Sequence, residues 1–359
     1  MRSTTSGDRA AIGRLGSTKR YGTGISTRRK VVIGIVATVW LALTVILLTT
    51  AVRGPGDRIA AHPPRPGHVV GTGVYANEPF MGITNLPLIA DIWVFLTALA
   101  MYGWYAWRSW TERRFQPMLV MLIVATLVAP IFDPLISWSA YTAYDPRLWH
   151  VPETWPLYRI LPTVQPLSTL PGYAMFFVSS VVPGLWLHSR LMNRRGPDSF
   201  FARRPMLSVF LLSGTLAFAF DSIQAYLATR LEIITYSQIA TAAYRSGTTW
   251  QSNALWEPLL CLLLFGIAAL TVYEDADGNT IATRWRGMSN RPILREFAVS
   301  FAVIGLATAL YTGGFAMVRL SGAATAVACP WPYQDTHVYD PNGLYAKTCP
   351  PETDDMESR

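Results

Sequence analysis

Long apolar runs alternate with short polar stretches from residue 31 to residue 318, and this alternation predicts most of the architecture. Each run is close to 20 residues long, which is the length that an α-helix needs to cross the hydrocarbon core of a bilayer. The runs lie at residues 31–52, 87–107, 117–138, 171–188, 206–229, 254–273 and 297–318. The pattern therefore predicts an all-α, polytopic membrane helical bundle of about seven transmembrane helices within residues 31–318.

The two ends of the chain differ from this pattern. Residues 1–30 are rich in Ser, Thr and Gly and hold eight Lys or Arg, which is typical of a disordered tail. The basic triplet before residue 31 is compatible with a twin-arginine signal, but 22 apolar residues without a clean cleavage site favour a transmembrane helix. Residues 319–359 form a second tail, which contains Cys329 and Cys349.

The basic residues predict the orientation of the bundle. Twenty Lys or Arg lie in 1–30, 108–116, 190–205 and 274–296, whereas ten lie in 53–86, 139–170, 230–253 and 319–359. Because loops rich in Lys and Arg stay on the cytoplasmic side, we expect a cytoplasmic N-terminus, with residues 1–30 as a cytoplasmic tail, and an extracytoplasmic C-terminus in the cell membrane. A disulfide between Cys329 and Cys349 is permitted outside the cytoplasm.

Composition excludes several classes of protein. Only 14% of the residues are charged, against about a quarter in soluble domains, and the net charge of +8 is explained by membrane orientation without a nucleic-acid partner. The lysines are Lys19, Lys30 and Lys347, none inside an apolar run, so a retinal Schiff base cannot form there. No Cys-x-x-Cys or clustered Cys/His spacing occurs, so we expect no metal site.

Four carboxylates fall inside or at the edge of the apolar runs. Asp221 lies 15 residues into a run that starts at the inner face, which places it roughly 22 Å across a core of about 30 Å. Asp133 comes to a similar depth, and Asp91 and Glu257 lie near the start of runs that enter from outside. Ionisable groups are costly in hydrocarbon and mark functional sites, so these positions predict a site in the outer half of the bilayer.

The residues near these carboxylates add detail and alternatives. Gln224 lies three residues after Asp221 on the same helix face, where it could also form an interhelical hydrogen bond. Pro134 predicts that its helix ends or kinks at Asp133, whereas Glu257 precedes a proline that suits a helix start. Asp91 and Glu257 could serve only as helix-start acids, and the outer Trp and Tyr residues could form an interfacial aromatic belt.

Several phrases resemble one known family, the AveC-type spirocyclases of actinobacteria, over roughly residues 80–310. The phrases are Phe132-Asp133-Pro134-Leu135, Pro171-Gly172-Tyr173, Asp221 with Arg230 and Tyr236, Trp256-Glu257-Pro258, the sequence from Val272 to Thr280, Arg295-Glu296-Phe297-Ala298 and Val303-Ile304-Gly305. The resemblance implies a membrane enzyme of macrolide biosynthesis that closes a dihydroxy-ketone polyketide into a spiroketal. The best-known member acts in avermectin assembly and also supports dehydration of the ring.

The chemistry implied by this resemblance matches the carboxylates. Ring closure moves protons, so we expect Asp133, Asp221 and Glu257 to form an acid–base set, without a metal or organic cofactor. A carboxyl in an apolar pocket is more easily kept protonated and suits the acid role. The residues expected to contact a hydrophobic substrate are Asp91, Trp138, Tyr141, Gln224, Tyr236 and Trp256.

Two other functions remain compatible with the sequence. The chain could be a non-catalytic membrane binder or proton-coupled transporter of a hydrophobic lipid or polyketide, or it could be a scaffold for a biosynthetic complex. A through-going proton path is disfavoured because no carboxylate lies in the inner half of any predicted span. A scaffold would tolerate replacement of the carboxylates by amides.

Overall fold

The structure is a computed structural model, and its description covers part of the chain. The described ranges are 68–70, 82–83, 85–140, 142–145, 148–151, 156–161, 164–231, 233–236, 238–240, 256–285, 287, 290–322, 324–326 and 337–339, with seven helical positions between 31 and 45. Tyr141, both tail cysteines and residues 1–30 lie outside these ranges, so the predictions made for them remain predictions.

Helices form most of the described chain, as the apolar runs predicted. They are α1 (Leu86–Thr111), α2 (Pro117–Ala140), α3 (Thr169–Arg195), the short α4 (Phe200–Arg203), α5 (Pro205–Arg230), α6 (Trp256–Val272), the short α7 (Ile281–Arg284) and α8 (Pro292–Leu320). Within the described ranges, α1, α2, α3, α5 and α8 are long and apolar enough to cross a membrane. Helix α6 is apolar but has only 17 residues. The all-α membrane bundle is therefore confirmed, with five long spans described where about seven were predicted.

Helix α2 does not end at Asp133, so that part of the prediction is wrong. The helix continues through Pro130 and Pro134 to Ala140. Pro134 has no N–H to donate to the carbonyl of Pro130, and the hydroxyl of Tyr158 donates to that carbonyl instead, at 3.3 Å. Tyr158 belongs to a 3₁₀ turn, Pro156–Ile160. A side chain from outside the helix thus satisfies the backbone group that the proline leaves free, as is usual for prolines in membrane helices.

Five helices close into a ring. Helix α2 packs against α3, α3 against α5, α5 against α6, α6 against α8, and α8 back against α2, while α1 packs outside on α3. Their facing sides carry a continuous apolar core that includes Met121, Leu122, Phe177, Phe265 and Ile304. We call this arrangement the five-helix ring.

Glycines allow the closest of these helix contacts. A Cβ atom at Gly266 of α6 would lie 2.8 Å from the carbonyl oxygen of Phe210 in α5, and one at Gly214 of α5 would lie 2.6 Å from the carbonyl oxygen of Leu262 in α6. These reciprocal contacts bring the two backbones together. Small residues have this role in membrane helices, where association depends on close packing because lipid is as apolar as the helix surface.

Short strands in the segments outside the helices pair with one another. β1 (His68–Val70) pairs with β6 (His337–Tyr339), β2 (Thr142–Tyr144) with β3 (Ile234–Tyr236), and β4 (Gln238–Ala240) with β5 (Ala324–Ala326), all antiparallel. In the β2–β3 ribbon, Thr142 lies opposite Tyr236 and Tyr144 lies opposite Ile234. Tyr144 and Tyr236 therefore share one face of the ribbon, because alternate and directly opposite residues point the same way.

Candidate active site

Each helix of the five-helix ring contributes a polar side chain near the same end of the bundle. The members are Asp133 of α2, Tyr173 of α3, Asp221 of α5, Glu257 and Cys261 of α6, and Tyr311 of α8. We call these six residues the carboxylate cluster. Asp133, Asp221 and Tyr311 lie about two turns before the ends of α2, α5 and α8, and the other three residues lie in the first two turns of α3 and α6. The antiparallel course of the chain brings all six to one level.

Asp133 has a hydrogen-bond donor on each carboxylate oxygen. The hydroxyl of Tyr173 donates to Oδ1 at 2.9 Å, and the side-chain amide of Gln165 donates to Oδ2. The same amide also donates to the hydroxyl of Thr169, at 2.8 Å. A carboxylate that accepts at both oxygens is the arrangement suited to an anion, because the ionised group can only accept.

Glu257 connects α6 to two other elements. The hydroxyl of Tyr311 in α8 donates to Oε1 at 3.2 Å, and the hydroxyl of Tyr236 in β3 donates to Oε2. Glu257 lies in the first turn of α6, as its position before Pro258 predicted. Both of its oxygens are therefore held by phenols.

Asp221 differs from the other two carboxylates. It is 2% exposed, it lies within electrostatic range of Glu257, and its carboxyl group lies beside the thiol of Cys261. Its Oδ2 is buried and has no hydrogen-bond partner among the described residues. The thiol of Cys261 also lies 4.0 Å from the hydroxyl of Tyr311. Asp221 thus keeps one carboxylate oxygen that no protein donor occupies.

The ribbon places two phenols beside the cluster. Tyr144 lies within electrostatic range of both Asp133 and Glu257, so it bridges the two sides of the ring. Burial raises the pKa of Tyr144 well above its ordinary value, and the Asp133 carboxylate adds to the shift. Burial, followed by the Glu257 and Asp221 carboxylates, raises the pKa of Tyr236 in the same way. Both phenols therefore keep their protons at neutral pH.

Of the three carboxylates expected to form an acid–base set, the structure brings Asp221 and Glu257 within electrostatic range of each other. Tyr144 lies between Glu257 and Asp133, and Tyr236 donates to Glu257. Trp256, at the start of α6, is partly buried against the apolar core and its indole nitrogen has no partner among the described residues. Gln224 lies about one turn beyond Asp221 and is partly buried. The catalytic and substrate-binding roles of these residues remain predictions.

Trp138 and Asp91 lie in separate surroundings. The guanidinium of Arg319 stacks over the ring of Trp138 at 4.2 Å and donates a hydrogen bond to its carbonyl oxygen. Oδ2 of Asp91 accepts a hydrogen bond from the backbone N–H of Trp149 at 2.8 Å, and its Oδ1 is buried without a partner among the described residues. Asp91 therefore anchors the loop that carries Trp149 to the second turn of α1.

Sequence reasoning left out four residues that hold the carboxylates in place: Tyr173, Gln165, Cys261 and Tyr311. Cys261 follows Glu257 by four residues, which places both on one helix face, and this spacing could have identified it. Tyr311 lies between Thr308 and Thr312 in an otherwise apolar run, a polar stripe that is visible in the sequence. Gln165 lies in a loop, where periodicity carries no information.

The opposite end of the bundle has a different character. Arg284 forms an ion pair with Asp275 at 2.6 Å, and Arg114 pairs with Glu274. An open groove of about 460 Å³ at the first turn of α8 is lined by Arg291, Pro292, Ile293, Leu294 and Phe297. No group of three or more His, Cys, Asp or Glu side chains in the described ranges could hold a metal ion. The chemistry-bearing groups are therefore concentrated in the carboxylate cluster.

A family model described as "Spirocyclase AveC-like" matches residues 110–339. The matched region contains all five helices of the ring and the β2–β3 ribbon, and hence every residue of the carboxylate cluster. No curated protein and no solved structure matches the chain.

Proposed function

This chain belongs to the AveC-like spirocyclase family, and from that premise we propose that it closes a dihydroxy-ketone polyketide into a spiroketal at the carboxylate cluster. The observation that carries the proposal is the convergence of the five-helix ring, in which three carboxylates, a thiol and two phenols from five helices meet in one buried cluster. All of these groups lie inside the matched region.

The reaction needs only the movement of protons. One substrate hydroxyl adds to the ketone carbon and gives a cyclic hemiketal. An acid then protonates the hemiketal hydroxyl, the C–O bond breaks, and water leaves behind an oxocarbenium ion. The second hydroxyl attacks that carbon and loses its proton to a base. The substrate loses one water overall, and the acid and the base return to their starting states.

The carboxylate cluster contains groups that suit each of these steps. Asp133, Asp221 and Glu257 can give and take protons, and a positioned carboxyl group accelerates such a step by roughly 100- to 10,000-fold. A carboxylate beside the oxocarbenium ion stabilises its positive charge, and this attraction is stronger in a buried site than in water. The protonated phenol of Tyr144 can donate a hydrogen bond to a substrate oxygen, whereas the hydroxyl of Tyr236 already donates to Glu257. Since no redox step is involved, these side chains are sufficient without a cofactor.

The substrate class follows from the surroundings of the cluster. The cluster is buried within an apolar, membrane-embedded bundle, so we expect its substrate to be a hydrophobic polyketide or macrolide intermediate that partitions into the bilayer. Exclusion of bulk water would protect the oxocarbenium ion from being trapped by solvent before the second hydroxyl attacks. Dehydration of the new ring would use the same acid and base groups.

We place the cluster on the outer side of the membrane. The distribution of Lys and Arg between alternate loops supports a cytoplasmic N-terminus and an extracytoplasmic C-terminus. The last turns of α2, α5 and α8 then face outwards, together with the β2–β3 ribbon.

The proposal is tested by deleting the gene in its host and analysing the extract by mass spectrometry. We expect a hydroxy-ketone or hemiketal intermediate to accumulate that is heavier than the final product by one water. The gene supplied in trans should restore the product, whereas an otherwise identical gene encoding Asp133→Asn should not. An unchanged set of spiroketal products in the deletion strain would contradict the proposal.

A further inference from the structure

The three carboxylates of the cluster differ in how their oxygens are occupied. Asp133 accepts hydrogen bonds at both oxygens, from Tyr173 and from Gln165. Glu257 also accepts at both, from Tyr236 and from Tyr311. Asp221 alone of the three leaves an oxygen, Oδ2, that is buried and has no partner among the described residues.

A buried oxygen without a partner is unusual, since most buried polar atoms in folded proteins are hydrogen-bonded. Asp221 is 2% exposed, so bulk water does not supply the missing partner. Catalytic groups are one class of residue in which such atoms occur, because the reacting group completes the hydrogen bond. Oδ2 of Asp221 is therefore the carboxyl oxygen of the three whose hydrogen bond a substrate group can complete.

The other neighbour of Asp221 is a weak one. A thiol is a weak hydrogen-bond donor and also a weak acceptor. Cys261 can therefore hold the Asp221 carboxyl group in place whether that group is ionised or protonated. Asp133, in contrast, is held by an amide and a phenol, which are stronger donors and suit the anion. The two surroundings therefore favour different roles.

We propose that Asp221 donates, through Oδ2, the proton that expels water from the hemiketal, that Asp133 is the anion that stabilises the oxocarbenium ion, and that Cys261 positions Asp221. This assignment rests on the proposed spirocyclase function. In the first step the Asp221 proton moves to the hemiketal hydroxyl, the C–O bond breaks and water leaves. In the second step the other substrate hydroxyl forms the new C–O bond and returns its proton to the Asp221 carboxylate.

The test compares two substrates that differ only in the leaving group. One is a synthetic dihydroxy-ketone, which must expel water, and the other is its preformed cyclic ketal carrying 4-nitrophenoxide at the reacting carbon. 4-Nitrophenoxide leaves without being protonated, so it bypasses a general acid. Both are incubated with the full-length protein in lipid nanodiscs, and the spiroketal formed above the uncatalysed background is measured.

Asp221→Asn should lose on the order of 100-fold or more in rate with the dihydroxy-ketone and stay within a few-fold of wild type with the 4-nitrophenyl ketal. Asp133→Asn should lose a similar factor with both substrates, because the oxocarbenium ion forms from each. The assignment would be overturned if Asp221→Asn lost the same factor with both substrates. It would also be overturned if Asp133→Asn were slow with the dihydroxy-ketone and as fast as wild type with the 4-nitrophenyl ketal. A wild-type protein that converts neither substrate would overturn the proposed function itself.

The positioning role of Cys261 is tested with the same pair of substrates. Cys261→Ala should lower the rate with the dihydroxy-ketone more than the rate with the ketal, and Cys261→Ser should restore most of the difference. A merely structural role would lower both rates equally in Cys261→Ala. That equal loss, or a Cys261→Ala enzyme as active as wild type, would contradict a positioning role.

Discussion

The hydroxyl of Tyr311 donates a hydrogen bond of 3.2 Å to Oε1 of Glu257, and this contact ties α8 to α6 at the level of the other carboxylates. The hydroxyl of Tyr236, in the β2–β3 ribbon, donates a hydrogen bond to the other carboxylate oxygen of Glu257. Glu257 is thus the point at which two ring helices and the ribbon meet. Side chains that hold Glu257 in place should therefore also affect turnover.

Tyr311→Phe removes one of the two donors to Glu257 without changing the shape of the side chain. A hydrogen bond to a charged group contributes about 1.5–3 kcal/mol, so we expect spiroketal formation to slow by roughly 10- to 100-fold. The measurement is the rate of product formation by purified protein. Tyr226→Phe is the control, since Tyr226 is 45% exposed on α5; equal rates for Tyr311→Phe and the control would show that the contact is dispensable.

Gly266→Ala tests the close contact between α5 and α6. The added Cβ would lie 2.8 Å from both the carbonyl oxygen and the ring of Phe210. Overpacking of this kind typically costs about 1–3 kcal/mol, so the melting temperature in detergent should fall. Gly305→Ala in α8 provides the matched control, because no heavy atom lies within 4 Å of a Cβ there. Equal melting temperatures for the two variants would be incompatible with the described packing.

Arg319→Lys tests the buried guanidinium over Trp138. Arg319 is 2% exposed, and its planar group both stacks on the indole and donates to the Trp138 carbonyl. An ammonium cannot reproduce both contacts, so we expect a loss of about 2 kcal/mol in the free energy of unfolding. Arg190→Lys is the comparison, since Arg190 stacks on the exposed Trp186 at 5.1 Å. A loss no larger than that of Arg190→Lys would mean that the buried stack adds nothing to stability.

The orientation can be measured with reporters fused after residue 359. Alkaline phosphatase is active only outside the cytoplasm, so we expect it to be active when fused at this position. Green fluorescent protein fused at the same position should be dark. Reporters fused after residue 205, in a loop rich in arginine, should give the opposite pair of signals. Fluorescence at the C-terminus would reverse the proposed orientation.

Much of this architecture follows from the sequence, because membrane helices are specified by length and polarity. The boundaries of α5 were predicted to within one residue, and the depths of Asp133 and Asp221 followed from counting along their runs. Counting gives the height of a residue and carries little information on which helix it faces. The meeting of Asp221 with Glu257 depended on the order of helices in the ring, which only the structure supplies.

Helix α2 shows a second limit of sequence reasoning. Pro134 was expected to end or kink its helix at Asp133, and the local preference of the residue before a proline supports that expectation. The helix continues because Tyr158, 24 residues later in the chain, donates to the carbonyl that Pro134 leaves free. A contact of this kind depends on the tertiary fold, and local preferences do not contain it.

The most direct test of the carboxylate cluster is the turnover of purified protein in nanodiscs with a synthetic dihydroxy-ketone. Wild type and Asp198→Asn should give a single spiroketal isomer at equal rates, because the Asp198 side chain is 93% exposed at the other end of the bundle. Asp133→Asn, Asp221→Asn and Glu257→Gln should each be slower by about 100-fold or more while keeping the wild-type helical content and melting behaviour. Wild-type rates in all three amide variants would contradict the account.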